Sequence, residues 1–210
     1  MSPIIHIVDD DWSFRTAVGR LLSASGYGIA LYASGEELLA QLPGNALGCV
    51  LLDLDMPGLS GLALQEKLSE IAPLLPVVFL TGRGDIKAGV QAMKAGADDF
   101  LEKPTTSEIL LETISRSLRR AVIRQAEFAR TNAARARLAS LTPREFEVLR
   151  LVVCGKLNKQ IAHALGTSER TIKAHRHNLM EKIGARSLAE TVSIAERLGL
   201  VEAIGDHSRP

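Results

Sequence analysis

The chain has 210 residues, enough for one large or two small domains, with an ordinary apolar share of 46% and few aromatics. No apolar run approaches the roughly 20 residues a membrane span needs, and acids arrive by Asp9 where a secretory signal would carry a basic region and a long apolar stretch. The formal charge of +1 hides an asymmetry: residues 1–104 carry 7 basic and 13 acidic groups, residues 105–140 carry 7 and 3, and residues 141–210 carry 11 and 8. An acidic front half and a basic back half imply different partners, the basic part hinting at a polyanion.

Short apolar runs alternate with helical segments through the first hundred residues, the pattern of a parallel α/β sheet. Strands are expected near 4–8, 29–32, 49–53, 76–80 and 98–101, and helices near 12–25, 35–41, 60–70, 86–95 and from 106 onward. Ser34 with Glu37, and Thr105 with Glu108, fit the capping box, in which a hydroxyl stands at the N-cap and Glu at N3. Gly26 and Gly96 fit helix C-termini. Gly89, inside the fourth helix, costs about 1 kcal/mol against Ala.

From Thr106 to about Leu138 the chain has no Pro or Gly and is rich in good helix formers. Ile114, Leu118, Ala121, Gln125 and Phe128 follow a 4-3-4-3 spacing. The fifth helix is expected to continue as an extended linker helix, either solvated or paired as a coiled coil. From Leu141 no strand pattern follows. Thr142-Pro143-Arg144-Glu145 is a helix start with N-cap Thr, Pro at N1 and Glu at N3. Helices are expected over about 143–153, 158–164, 169–183 and 188–198, the last opened by a Ser187–Glu190 capping box, and the tail after Gly199 is expected to fray. Cys49 and Cys154 lie far apart inside apolar runs and read as reduced core residues of a cytoplasmic protein.

The strand ends carry the chemistry. Ile4–Val8 ends in Asp9-Asp10-Asp11, Cys49–Leu52 in Asp53, Val77–Leu80 in Thr81, and Phe100-Leu101 in Glu102-Lys103-Pro104. In an open parallel sheet ligands sit outside the carboxyl ends of the strands. An Asp after a strand also caps the next helix, so each residue alone is ambiguous; their conjunction at four strand ends is not. Asp9, Asp10 and Asp53 can supply oxygen ligands to Mg²⁺ or Mn²⁺, and Asp53, alone on the third strand, is the candidate nucleophile for an aspartyl phosphate. Lys103 would neutralise phosphoryl charge and Thr81 donate a hydrogen bond. No residue looks placed as a strong general base, which favours a slow switch over turnover.

The spacing of Asp9-Asp10, Asp53, Thr81 and Lys103-Pro104, with "DMPGLSG" and "MKAGADDFLEKP", resembles the receiver domain of two-component response regulators. The resemblance covers residues 4–120. It implies a flavodoxin-like five-stranded sheet of order 2-1-3-4-5, phosphorylation of Asp53 by a histidine kinase, a metal ligand from the Asp55 backbone carbonyl, and a cis peptide before Pro104. It also implies that Thr81 draws toward the phosphate and Phe100 turns inward as the fourth-helix and fifth-strand face repacks. Asp55 stands where Arg, Asn or Lys is frequent, Thr105 where Phe often follows Lys-Pro, and Gly89 inside a helix, three departures that bear on phosphate lifetime and on the stiffness of the switch face.

In helix 169–183, Ile172, Leu179 and Ile183 share one face, while Arg170, Lys173 and His177 share another. With the preceding helix and the turn Leu165-Gly166-Thr167, this fits either a helix-turn-helix or a small bundle with a solvated basic face. The stretch from "LTPREFEVLRLVV" to "IGARSLAE" resembles the LuxR-type helix-turn-helix, and the whole chain a FixJ/NarL-type transcription regulator. By position, Lys173, Ala174 and His177 would face bases, and Lys159, Ser168, Thr171 and Arg176 phosphates. The last helix would be a dimer contact, and His163 and His175 packing or capping residues. The expected organisation is a receiver over 1–120, a helical linker over 121–140, an all-α DNA-binding domain over 141–203 and a flexible tail over 204–210. Expected partners are a histidine kinase, double-stranded operator DNA, RNA polymerase and a second copy on phosphorylation, with no membrane.

Asp53-Leu54-Asp55 also resembles the nucleophile and acid/base pair of haloacid-dehalogenase-like phosphohydrolases. There the motif normally follows the first strand and continues with Thr or Val, where this chain has Pro57. A third reading, a receiver serving only as an interaction module, requires a C-terminal half that does not bind DNA.

Overall fold

The computed structural model describes residues 3–44, 46–82 and 86–200, which divide into two compact units, one up to Gln125 and one from Ala126. The expected frayed or flexible tail, from 201 on, lies outside the described residues. The first unit alternates β1 (Ile4–Val8), α1 (Trp12–Ala24), β2 (Gly28–Tyr32), α2 (Gly35–Gln41), β3 (Gly48–Asp53), α3 (Gly61–Ile71), β4 (Val77–Thr81), α4 (Ile86–Lys94) and β5 (Asp99–Glu102). The long helix α5 (Ser107–Ala139) follows. All strand pairs are parallel and the order is β2-β1-β3-β4-β5.

Alternation of side chains along each strand builds two cores. Val50, Leu52 and Phe79 join Leu38, Leu64 and Leu68 on the face covered by α2, α3 and α4. Cys49, Leu51, Val78 and Leu80 join Val18, Leu22, Leu110 and Ile114 on the face covered by α1 and α5. Every residue of β3 is buried, which explains its continuous apolar run. The register sets Val8 beside Leu52 and Asp53 beside Leu80, so the residues ending β1, β3 and β4 emerge together at one edge.

Local capping is close to expectation, with corrections at three of the expected boxes. At Ser187 the hydroxyl accepts from the Glu190 N–H, but the Glu190 carboxylate accepts from the Arg186 N–H instead of the cap's own. Ser34 accepts from the Glu37 N–H, while the Glu37 carboxylate reaches one residue further back, to the Ala33 N–H. The first bond of α5 runs from the Leu110 N–H to the Thr106 carbonyl, and Thr106 Oγ1 accepts from Ile109. Thr106, not Thr105, is therefore the N-cap, and Glu108 falls at N2. Thr142 and Glu145 form a complete capping box behind Pro143. Gly26 and Gly96 hold positive φ after α1 and α4.

The second unit contains the end of α5 and α6 (Pro143–Val153), α7 (Asn158–Ala164), α8 (Glu169–Ile183) and α9 (Leu188–Arg197). Val148, Leu149, Val152, Ile161, Ile172, Leu179 and Ile183 form its core, with Leu138 and Leu141 packed against it. Cys49 is buried, but Cys154 is exposed. The expectation of two core cysteines fails at Cys154 because it is the C-cap of α6, two residues past Val152, and so turns away from the face that Val148 and Val152 bury. Along α5 the 4-3-4-3 stripe divides: Ile114 is fully buried, whereas Phe128 is 47% exposed.

Candidate functional site

Three aspartates follow β1, and the structure gives them separate tasks. Asp11 is the N-cap of α1, accepting from the Ser13 and Phe14 N–H groups. Asp9 is buried; its Oδ1 accepts from the Asp11 N–H at 2.9 Å and its Oδ2 faces Lys103 Nζ at 2.6 Å. Asp10 is exposed. Ligand oxygens of Asp9, Asp10 and Asp53 all lie within 4.8 Å of one another.

Asp53 ends β3, a strand buried at every residue. Its Oδ1 accepts from the Leu54 N–H at 2.9 Å and stands 3.1 Å from Lys103 Nζ. Burial pushes its carboxyl above the usual range; the Lys103 ammonium pulls it down, and neighbouring Asp9 pushes it up again. α3 starts hard against this strand: a Cβ on Gly61 would stand 2.4 Å from the Asp53 carbonyl oxygen, so the last glycine of "DMPGLSG" permits the approach.

Lys103 is delivered by β5, with its N–H donating to the Thr81 carbonyl at 2.6 Å and a cis peptide before Pro104. Thr81 is 1% exposed, and its Oγ1 has no hydrogen-bond partner among the described residues. An unpartnered buried hydroxyl beside three carboxylates and one ammonium fits a site completed by an anionic group. The donor set is all oxygen and carries excess negative charge, which suits a hard divalent cation. Asp55 is exposed, and Phe100 is half-buried against Gly89 of α4.

Sequence reasoning missed two neighbours. The Phe14 ring lies 4.2 Å from Lys103 Nζ, and the Arg15 guanidinium donates to the Asp9 carbonyl. Phe14 falls on the apolar stripe of α1 with Val18, so its burial was legible but its cation was not. Nothing in the sequence marks Arg15.

In the second unit α7 and α8 are joined through Gly166, whose φ of +60° makes the tight turn. Ile172, Leu179 and Ile183 are buried as expected, and Lys173, Ala174 and His177 are exposed. Ser168 is the N-cap, accepting from the Thr171 N–H, and the two hydroxyls lie 2.8 Å apart. Lys159 is exposed, and Arg176 donates to Asn158 Oδ1 at 2.6 Å, a partner not anticipated. Buried Glu145 receives Lys182 of α8 at 2.7 Å; that ammonium and the Thr142 N–H hold its carboxyl down to about 2. His175 is half-buried and His163 exposed.

A family model for the response regulator receiver domain matches residues 5–115, and one for bacterial regulatory proteins of the luxR family matches residues 139–195. The chain belongs to the response-regulator family. It is 39% identical over 197 residues to the transcriptional regulatory protein FixJ of Bradyrhizobium diazoefficiens, covering 94% of this chain and 96% of that one. It is 38% identical to the response regulator protein TodT of Pseudomonas putida, over 93% of this chain and 86% of that one. Among solved structures, the response regulator StyR is 40% identical with a TM-score of 0.82, covering 94% and 100% of the two chains. Full-length FixJ from B. japonicum is 38% identical with a TM-score of 0.59, covering 94% and 98%.

A receiver followed by a LuxR-family DNA-binding region makes this response regulator a phosphorylation-dependent transcription regulator of a two-component system. The pairing implies a histidine kinase and DNA as partners. Asp53 ends β3 rather than β1, so the likeness to dehalogenase-like phosphohydrolases stops at the Asp-x-Asp spacing. Among the described residues no helix is long and apolar enough to cross a membrane.

Proposed function

We propose that Asp53 is the phosphoacceptor, and that its phosphorylation drives dimerisation and operator binding. The observation that carries this is Lys103 Nζ standing within 3.1 Å of Asp53 and 2.6 Å of Asp9, at the ends of three strands. An Asp53 carboxylate oxygen attacks the phosphorus of the kinase phosphohistidine. The O–P bond forms, the P–N bond breaks, and the imidazole nitrogen keeps the electron pair and takes a proton. Lys103 then neutralises one phosphoryl oxygen, and the free hydroxyl of Thr81 donates to another. Asp9, Asp10, Asp53 and the Asp55 carbonyl would hold Mg²⁺ or Mn²⁺, which supplies charge neutralisation on the phosphoryl group. Movement of Thr81 draws Phe100 inward and reshapes the face of α4 and β5.

In the second unit Lys173, Ala174 and His177 read bases, while Lys159, Ser168, Thr171 and Arg176 hold phosphates. α9 is a dimer contact, and RNA polymerase is a further partner of the DNA-bound dimer. The protein works in the cytoplasm as a switch without substrate turnover. Its parts are a receiver over 1–120, a linker over 121–140, a DNA-binding domain over 141–203 and a flexible tail over 204–210. The test is phosphorylation by acetyl phosphate with Mg²⁺: the wild type gains an acid-labile phosphate and Asp53→Asn does not. Equal yield in the variant would refute the site.

A further inference from the structure

We propose that Phe14 is a positioning residue for Lys103, holding its ammonium at the phosphoryl-transfer site through a cation–π contact. This rests on the reading of Asp53 as phosphoacceptor. The Nζ lies 4.2 Å from the ring centroid, inside the roughly 6 Å range of such contacts, and the Lys103 side chain is only 19% exposed. Phe14 is itself fixed at both ends. Its N–H donates to the capping carboxylate of Asp11 at 3.2 Å, and its ring packs on the core that holds Ile7, Val18 and Leu22.

The contact solves a specific difficulty. Lysine is a point charge on a flexible four-carbon stem, with three donors and no built-in direction. Asp9 and Asp53 engage the ammonium from the carboxylate side. When a phosphoryl group arrives on Asp53, one donor has to pass from that carboxylate to a phosphoryl oxygen while the nitrogen stays in place. A ring face attracts the cation through its quadrupole but is a far weaker hydrogen-bond acceptor than an oxygen, so it restrains Nζ while leaving the strong donor directions to oxygens. An aliphatic side chain of similar bulk would fill the same space without attracting the charge. Thr105, beyond the cis Lys103-Pro104 peptide, brings no ring to that side of the lysine.

The test uses the full chain with Phe14 replaced by phenylalanines carrying one, two and three ring fluorines, which keep the shape and weaken the face potential stepwise. Phe14→Leu and Phe14→Tyr accompany them. One readout is the rate at which Asp53 gains acid-labile phosphate from acetyl phosphate at saturating Mg²⁺. The other, without metal, is the proton chemical shift of the Lys103 ε-methylene. We expect the rate to fall monotonically with fluorination, by about 2–10-fold in all, with Phe14→Leu at least as slow as the trifluoro protein and Phe14→Tyr near wild type. The ε-methylene is expected upfield in wild type, through the ring current, and at an ordinary position in Phe14→Leu. Rates flat across the fluorinated series, or an ε-methylene with no ring-current shift in wild type, would overturn the proposal. If Phe14→Leu does not fold, the fluorinated series decides alone. A wild type that gains no phosphate on Asp53 would instead refute the phosphoacceptor assignment, with the chemical shift still reporting whether ring and ammonium meet.

Discussion

The ring of Phe100 occupies the space that a β-carbon on Gly89 would need: a Cβ built there comes within 2.9 Å of Cζ and 3.0 Å of Cε1. The glycine that looks like a helix defect in α4 is therefore a seat for the half-buried aromatic of β5. The same ring lines an open apolar groove with Val90, Met93 and Lys94. Gly89→Ala gains about 1 kcal/mol of helix propensity and evicts the ring. If Phe100 turns inward on activation, the variant should bind operator DNA several-fold more tightly than wild type without a phosphodonor, on the order of 1 kcal/mol. Unchanged affinity, measured by anisotropy on one operator fragment, would show that the ring merely fills a gap.

Asp53 is a source of instability in the metal-free fold. Burial raises its carboxyl pKa, so the folded state holds the proton more tightly than the unfolded chain does. The associated stability is fully present below the ordinary value of 3.8 and is lost as pH rises through the raised folded value. At neutral pH in chelator, Asp53→Asn should therefore have a higher urea midpoint than wild type. Added Mg²⁺ should narrow or reverse the order, because only the wild type keeps the full carboxylate set. A lower midpoint for the variant in chelator would mean that the Lys103 contact outweighs burial.

Glu145 behaves in the opposite sense. Lys182 and the Thr142 N–H hold it at about 2 against an ordinary 4.5, so its contribution is present above about 4.5 and is lost as pH falls from there toward 2. Because Lys182 belongs to α8, acid should loosen α6 and α8 together. Hydrogen exchange of their amides should accelerate across that window in wild type and show a flatter pH dependence in Glu145→Gln. That variant should also be less stable at neutral pH by about 1–3 kcal/mol. Identical pH dependence in the two proteins would remove Glu145 as the cause.

His177 and Arg176 are neighbours on α8 with different surroundings. His177 is exposed beside Lys173, whereas Arg176 is half-buried and tied to Asn158. His177→Ala should cost about 1–3 kcal/mol on the preferred operator and flatten discrimination at one base pair. Arg176→Ala should weaken all sequences alike and lower the salt slope by about one unit. Binding to single-base operator variants at several salt concentrations separates the two. Discrimination that survives His177→Ala, or disappears with Arg176→Ala, would rotate the helix relative to the groove.

The elements were legible because four of the five strands carry an apolar run closed by a polar residue, and most helices open on a hydroxyl or carboxylate cap. The cluster of Asp9, Asp53, Thr81 and Lys103 was legible because the sheet order brings those strand ends to one edge. Contacts between distant side chains were not. Asn158 is an ordinary polar residue until Arg176, 18 positions later, folds onto it. Phe14 reads as core until β5 delivers Lys103 above its ring. Glu108, three residues on, favours Thr105 as the cap in sequence, but backbone geometry places Thr106 there instead. Cys154 was misplaced because an apolar run continued past the last turn that packs inward.

Phosphate on Asp53 is proposed to control DNA binding. That control is tested most directly by sequencing the genomic fragments that the full chain retains with and without acetyl phosphate and Mg²⁺, for wild type and Asp53→Asn side by side. A discrete set of fragments should be enriched by the phosphodonor with wild type and absent with Asp53→Asn, while both proteins retain the same weak, salt-sensitive background. Equal enrichment with Asp53→Asn, or fragments retained by wild type regardless of phosphodonor, would contradict it.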